Sequence, residues 1–313
     1  MIVTLTLNPS VDRTIVVDDL RRGEVNRATG SRVDPGGKGI NVARALAVHG
    51  VKTRAVVAVG GPEGDHLERL LSAGDLEVLV VRIGGSIRSN VTVVEPDGTT
   101  TKLNEPGARL SDGEIALIVD AAVTACADAD WLVASGSLPP GAPPSLYADV
   151  ARRLAGTRTR VAVDTSGSAL GAALAGRPDL LTPNAEELSE CVGRALPTLG
   201  DVVTACHELR DRGAGAVLAT LGAVGAVLVT GDGAAHAHAP VAVPRSSVGA
   251  GDALLAGFLA AGGEGAAALA EAVAWGAAAV GLPGSRMPEP CDLRRDAVVL
   301  DLAPPTELPL LPT

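Results

Sequence analysis

The sequence predicts an α/β fold: three α/β/α layers around a mostly parallel central sheet, with a small β-sheet lid attached. Three observations carry this. Short apolar β-branched runs alternate with longer Ala/Leu-rich segments of helical period, as in a doubly wound sheet. The strand candidates are mainly apolar runs, as strands covered on both faces should be. Two stretches, 11–33 and 86–105, instead alternate apolar and polar residues, the pattern of a sheet with one wet face.

Taken in order, Met1-Ile-Val-Thr-Leu-Thr-Leu is a strand. It lacks the basic n-region of a signal peptide and runs straight into Asn8-Pro9. Val56–Val59, Trp131–Ala134, Arg160–Val163, Asp179–Leu181, Ala216–Thr220 and Ala226–Val229 read as further strands. Residues 41–49, 64–73, 111–127, 144–155, 185–192, 200–212, 252–261 and 266–280 read as helices. The lid strands are Thr14-Ile-Val-Val-Asp, Asn90-Val-Thr-Val-Val and Thr99-Thr-Thr-Lys-Leu, with a turn at Pro96-Asp-Gly. No stretch reads as a linker or a repeat, so residues 1–313 form a single domain with the lid as two excursions from it.

Composition narrows the function. A chain of 313 residues can bury a large core, but aromatics are only 1%, so that core is Ala, Val and Leu. One Phe, one Tyr and two Trp leave almost no platforms for stacking bases. The net charge is −10, the pI is near 5.0 and no basic stripe is present. Both features argue against nucleic acid as a partner. The Ala-rich segment 253–281 is interrupted by Gly262, Gly263, Glu264, Gly265 and Glu271, which argues against a membrane span. Cys126, Cys191, Cys206 and Cys291 lie far apart, the pattern of reduced thiols in a cytoplasmic protein. His236 and His238 form an H-x-H pair with no apparent third ligand and read as surface strand histidines.

The most informative stretch is Val248-Gly-Ala-Gly-Asp-Ala-Leu-Leu-Ala-Gly-Phe. Gly249, Ala250 and Gly251 are small enough for backbone N–H groups to turn onto an anion, and the helix that follows adds its orphan donors and dipole. Asp252 stands where such an anion would lie. It is either a helix cap after a Gly turn or a base working beside an anion hole. A second Gly cluster, Asp34-Pro-Gly-Gly-Lys-Gly-Ile-Asn, lets backbone approach closely at Gly36, Gly37 and Gly39. Lys38 there offers a point charge for phosphate and Asn41 a partner for hydroxyls. It is not a Walker A loop, and neither cluster satisfies G-x-G-x-x-G.

Other candidates each have two readings. Asp12, at a strand's C-terminal edge, can grip hydroxyls or be a solvated loop charge. Arg88 and Asn90 alternate onto one lid face, where the guanidinium clamps a phosphate or simply solvates the sheet. Asn184 and Glu187 form a capping box or stand near a water-bound Mg²⁺. Thr220-Leu-Gly-Ala-Val-Gly, with Gly222 and Gly225, is a plain hairpin or a nucleotide contact. Ser137, in Ser135-Gly-Ser-Leu-Pro-Pro-Gly, offers a hydroxyl at the same sheet edge.

Pro35-Gly-Gly-Lys-Gly-Ile-Asn-Val-Ala-Arg-Ala, the Val248–Phe258 stretch and Asn184-x-x-Glu187 resemble the two signatures and the N-x-x-E motif of the PfkB (ribokinase-like) carbohydrate kinases. The resemblance runs from end to end. It implies a ribokinase-like α/β/α domain with a β-sheet lid, often a homodimer through that lid. It implies Asp252 as catalytic base, with the anion hole at Gly249, Ala250 and Gly251. Asp12, Gly36, Gly37, Lys38 and Asn41 would hold the sugar, with Arg88 and Asn90 on its phosphate and Ser137 also binding the substrate. Asn184, Glu187, Thr220, Gly222 and Gly225 would serve ATP, with Glu187 acting on Mg²⁺ through water. Thr6-Leu-Asn-Pro-Ser-Val-Asp-Arg, Gly23-Glu-Val-Asn-Arg and Gly136-Ser-Leu-Pro-Pro-Gly look most like the branch that phosphorylates ketohexose monophosphates. That implies fructose 1-phosphate as acceptor, with tagatose 6-phosphate, fructose 6-phosphate or a catalytically silent sugar-phosphate-binding regulator as alternatives. Two residues depart from the family pattern: Thr182, where Lys is frequent and contacts ATP phosphate, and Ala253, where Ser is frequent.

Overall fold

A computed structural model describes residues 1–310. The strands are β1 (Ile2–Thr6), β2 (Ser10–Val16), β3 (Gly30–Gly36), β4 (Thr53–Val59), β5 (Glu77–Arg82), β6 (Arg88–Val94), β7 (Thr100–Leu103), β8 (Trp131–Ser135), β9 (Arg160–Asp164), β10 (Leu180–Leu181), β11 (Ala216–Thr220), β12 (Ala226–Thr230), β13 (Gly233–His238) and β14 (Val299–Asp301). The helices are α1 (Lys38–Val48), α2 (Gly61–Leu71), α3 (Asp112–Ala125), α4 (Leu146–Leu154), α5 (Ser168–Ala173), α6 (Ala185–Val192), α7 (Leu199–Asp211), α8 (Ala250–Ala260) and α9 (Gly265–Val280).

Ten strands form the central sheet in the order β14-β13-β12-β11-β10-β9-β8-β1-β4-β5. It is parallel from β5 to β11 and antiparallel from β11 to β14. β1 and β8 are buried along their whole length, because helices cover both faces. One face packs Leu5, Leu132 and Val163 against Ile118, Tyr147 and Leu209. The other packs Val133, Leu180 and Leu228 against Leu255, Phe258 and Trp275. Near the lid, Val57 and Val59 meet Ile40, Leu67 and Val11.

The expected lid is a separate four-stranded sheet, ordered β3-β2-β6-β7. Residues 11–33 supply most of β2 and the start of β3, and residues 86–105 supply β6 and β7. β2 and β6 pair in parallel, with Ser10 opposite Arg88 and Asp12 opposite Asn90. β7, at the sheet edge, is exposed on both faces.

Boundaries of several elements coincide with the sequence reading, including α6 at 185–192 and β11 at 216–220. Three were not anticipated, β5, α5 and β14, while β13 carries the two histidines that the sequence placed on a strand. The H-x-H pair is also not a surface feature throughout. His236 is only 1% exposed, which corrects the sequence reading for that residue.

Candidate active site

The C-terminal edge of the parallel strands, the start of α8 and the base of the lid converge on one cleft. This is where ligands of open α/β sheets bind. At its floor is Asp252, in the first turn of α8 and nearly fully buried. Gly249 precedes the helix with φ of 77°, a left-handed backbone that glycine adopts without strain. The Ala250 amide reaches back to the Ser247 carbonyl at a long 3.3 Å. The other first-turn amides have no helical carbonyl to bond, by the geometry of any helix start.

Asn41, on α1, donates from Nδ2 to Asp252 Oδ2 at 2.8 Å, joining residues 211 apart in sequence. Its own Oδ1 is buried without a hydrogen-bond partner, an acceptor waiting for a donor such as a hydroxyl. Burial, with the nearby Asp164 charge adding to it, pushes the Asp252 carboxyl up to about 7, against the pull of Lys38 and of the Asn41 bond. A carboxylate near neutrality is suited to taking and releasing a proton.

Lys38, expected beside the sugar, has its ammonium on two other carboxylates. It donates to Asp164 Oδ1 at 2.9 Å and lies 3.7 Å from Glu187 Oε1. Burial opposes its charge, but Asp164, Glu187 and Asp252 together outweigh that cost and the net shift is upward. Glu187 is itself raised by burial, with Lys38 acting the other way. Sequence reasoning missed Asp164. It ends β9 and is 6% exposed, and the signal that singled out Asp12, an acid at a strand's C-terminal edge, was there for it too.

Asn184 and Glu187 make the anticipated reciprocal capping box at the start of α6, with bonds of 2.8 and 2.9 Å. Glu187 uses Oε2 for the cap and turns Oε1 toward Lys38. Asn184 also bridges in parallel to Thr220, and the Thr220 amide donates to the Pro183 carbonyl. The N-x-x-E segment and the turn Gly222–Val224 between β11 and β12 therefore adjoin. That turn is closed by Leu221 donating to Gly225. Thr182, the departure from the family Lys, is buried with its hydroxyl on the Val163 carbonyl at 3.4 Å. Ala253 lies buried among apolar groups of α8's inner face.

On the lid side, Asp12 Oδ1 accepts from Asn90 Nδ2 at 3.0 Å and from Ser10 Oγ at 2.6 Å. A Cβ on Gly36, directly across the β2–β3 pair, would collide with the Asp12 carboxylate and Ser10 hydroxyl, so a larger residue there would displace those side chains. Arg88 donates from Nε to the Asn8 carbonyl at 3.2 Å. Arg88, Asn8 and Ser137 line a cleft of about 510 Å³ that continues to Ser166 and Ser168. Asn8 also donates to Ser137 Oγ at 3.3 Å. The hydroxyls of Tyr147 and Thr165 both bond the Gly136 carbonyl and fix the Ser137 loop.

The profile of the pfkB family carbohydrate kinases matches residues 5–291. A 1-phosphofructokinase of Rhodobacter capsulatus is 39% identical over 97% of this chain and 98% of its own length. An ATP-dependent 6-phosphofructokinase isozyme 2 of Mycobacterium tuberculosis is 40% identical over 82% of this chain and 76% of its own. Among solved structures, the phosphofructokinase-2 of Escherichia coli in complex with potassium superposes with a TM-score of 0.87. It is 35% identical, covering 93% of this chain and 96% of that one.

Proposed function

The chain belongs to the pfkB family of carbohydrate kinases, and from that premise we propose that it transfers the γ-phosphoryl group of ATP to the free primary hydroxyl of fructose 1-phosphate. The observation that carries the chemistry is the buried Asp252 carboxylate. Asn41 holds it at the start of α8, with its proton affinity raised toward neutrality.

In this reading the acceptor hydroxyl gives its proton to Asp252 as its oxygen bonds to the γ-phosphorus and the bond to ADP breaks. The amides of Gly249, Ala250 and Gly251 and the dipole of α8 stabilise the charge on the migrating group. Asp12, Asn41 and the backbone at Gly36 and Gly37 position the sugar. Arg88, Asn90 and Ser137 receive its phosphate at the mouth of the cleft. Thr220, Gly222 and Gly225 line the nucleotide side, and Lys38, held between Asp164 and Glu187, lends its charge to a phosphate. Lid closure keeps water from competing for the phosphoryl group.

Asp164 and Glu187 hold the Lys38 ammonium between them, and their carboxylate oxygens are of the kind a hard dication with retained waters takes once ATP phosphate draws Lys38 away. Mg²⁺ held there, through water at Glu187, would neutralise charge on the ATP phosphates. No described helix is long and apolar enough to cross a membrane. A homodimer through the lid belongs to the same proposal. Leu103 is 61% exposed on that sheet, an apolar side chain that a second copy could cover.

A second reading, fructose 6-phosphate as acceptor, is favoured by the 40% identity to the M. tuberculosis 6-phosphofructokinase. ADP release with ATP and, in turn, fructose 1-phosphate, fructose 6-phosphate and tagatose 6-phosphate decides between them. The highest kcat/KM with fructose 1-phosphate is expected. A preference for fructose 6-phosphate installs the second reading, and no release with any of the three removes the assignment of a ketohexose monophosphate as acceptor.

A further inference from the structure

β13 carries two imidazoles on one face, because His236 and His238 are two residues apart and strand side chains alternate. Asp301 of β14 pairs directly with His236 in the antiparallel register. The third ligand that the sequence lacked therefore comes from 65 residues beyond His236, along a different strand.

The His236 ring is held as a metal-binding imidazole is held. Its Nε2 lies 2.7 Å from the Val224 carbonyl oxygen. A carbonyl only accepts, so Nε2 carries the hydrogen and the Nδ1 lone pair is left free. A backbone carbonyl taking the second ring N–H is the usual outer partner of a ligating histidine. Nδ1 of His236 is buried without a hydrogen-bond partner and lies 3.5 Å from Asp301 Oδ2. Nδ1 of His238 is likewise buried and unpartnered, and the two rings stack with centroids 5.5 Å apart. Ligand atoms of the three residues all lie within 4.8 Å of one another.

We propose that His236, His238 and Asp301 bind a borderline divalent cation of the zinc class, with water completing the coordination. Two imidazoles and one carboxylate suit that class better than the Mg²⁺ that accompanies ATP. Bonds of about 2.0–2.1 Å require the ligand atoms to close in by roughly 1 Å, which the less buried His238 and Asp301 side chains can supply. The site is distinct from the Asp164–Glu187 pair. A bound ion ties β14 to β13 and fixes the ring that holds Val224, in the turn Gly222–Val224. Coupling to ATP rests on the reading of that turn as nucleotide-lining; cation binding itself does not.

The test is Zn²⁺ binding to the full chain, stripped with chelator and titrated in competition with a chromogenic chelator. One ion per wild-type chain is expected, with affinity at least about 10-fold weaker in both His238→Ala and Asp301→Asn. Both positions are partly exposed, so these variants keep the fold that loss of the buried His236 ring endangers. Cys291→Ser removes the exposed thiol and is expected to bind as wild type does. Co²⁺ in place of Zn²⁺ is expected to give ligand-field bands without sulfur charge transfer. Absence of stoichiometric binding overturns the proposal, as does undiminished binding in both His238→Ala and Asp301→Asn, or loss of binding in Cys291→Ser. None of these readouts depends on which sugar the enzyme accepts.

Discussion

The two sheets are woven from similar Val- and Thr-rich strands but live under opposite conditions. In the ten-stranded sheet β1 and β8 are sealed on both faces, whereas in the four-stranded sheet β7 is exposed from end to end. The sealed sheet delivers Asp164 and, with α1 and α8 packed on it, Asn41 and Asp252 into a nearly dry floor. The thin sheet delivers Asp12, Arg88 and Asn90, which stay half-exposed and bond mainly to one another and to nearby backbone. Groups whose protonation must be tuned sit where the dielectric is low. Groups that on the proposed reading recognise a solvated sugar phosphate sit where water reaches them. Substitutions in the two sheets should accordingly fail in different ways.

The largest effect belongs to Asp252→Asn. Removing the base lowers kcat by about 10²–10⁴ with little change in KM, measured by ADP release. An activity nearly equal to wild type would end the assignment of Asp252. The same substitution has a stability signature of opposite sign. Burial raises the Asp252 carboxyl to about 7, so the fold favours its protonated form. That contribution is fully present below the unfolded pKa of about 4 and is lost as pH rises through about 7. The amide introduced by the substitution is neutral at every pH, so the variant should melt above wild type at pH 8, with the gap closing as pH falls toward 4. For wild type, kcat/KM should rise with pH through the same region near 7.

Leu132→Ala in β8 tests the sealed sheet without touching the chemistry. Leu132 is fully buried between helices, and its truncation should cost about 2–5 kcal/mol in denaturant unfolding. Molecules that remain folded should keep their kcat. A loss of kcat with unchanged stability would mean the sheet does more than support the site.

Arg88→Ala tests the lid. Loss of a charge-assisted contact worth about 1.5–3 kcal/mol raises KM for the sugar phosphate by about 10–100-fold, while kcat and KM for ATP stay near wild type. A fall in kcat with unchanged KM would move Arg88 from recognising the phosphate to positioning the reacting groups.

The same contrast explains what was legible in the sequence. Strands of the sealed sheet announce themselves as continuous apolar runs, and α3, α6 and α7 each begin with a capping box. β13 was marked only by its histidine pair, because Gly-Ala-Ala-His-Ala-His has neither β-branched nor aromatic residues of the Phe, Tyr or Trp kind, and β14, three residues long, left no mark. β5, Glu77–Arg82, carries charge at both ends and lies at the sheet edge, which blurs its pattern. Within the site, Gly-rich turns and capping residues leave local patterns, so Asp252, Asn184 and Glu187 were found. Contacts made across the fold leave none. The turn of Lys38 toward Asp164, 126 residues away, and the meeting of His236 with Asp301 exist only once the strands are in register.

The smallest effect on the fold, and the sharpest test of the lid's outer side, is Leu103→Asp. Leu103 stands at the end of the fully exposed β7, 61% exposed, and touches none of the three apolar cores. Its replacement should change the stability of the isolated chain by no more than about 0.5 kcal/mol. If a second copy covers this sheet, the same carboxylate is buried in apolar surroundings at the contact, where an unpaired charge is costly. Sedimentation should then show dimers for wild type and monomers for Leu103→Asp, at equal melting temperature below the dissociation concentration. Equal sedimentation of the two proteins would leave the lid as a closure for the sugar alone, with no role in pairing chains.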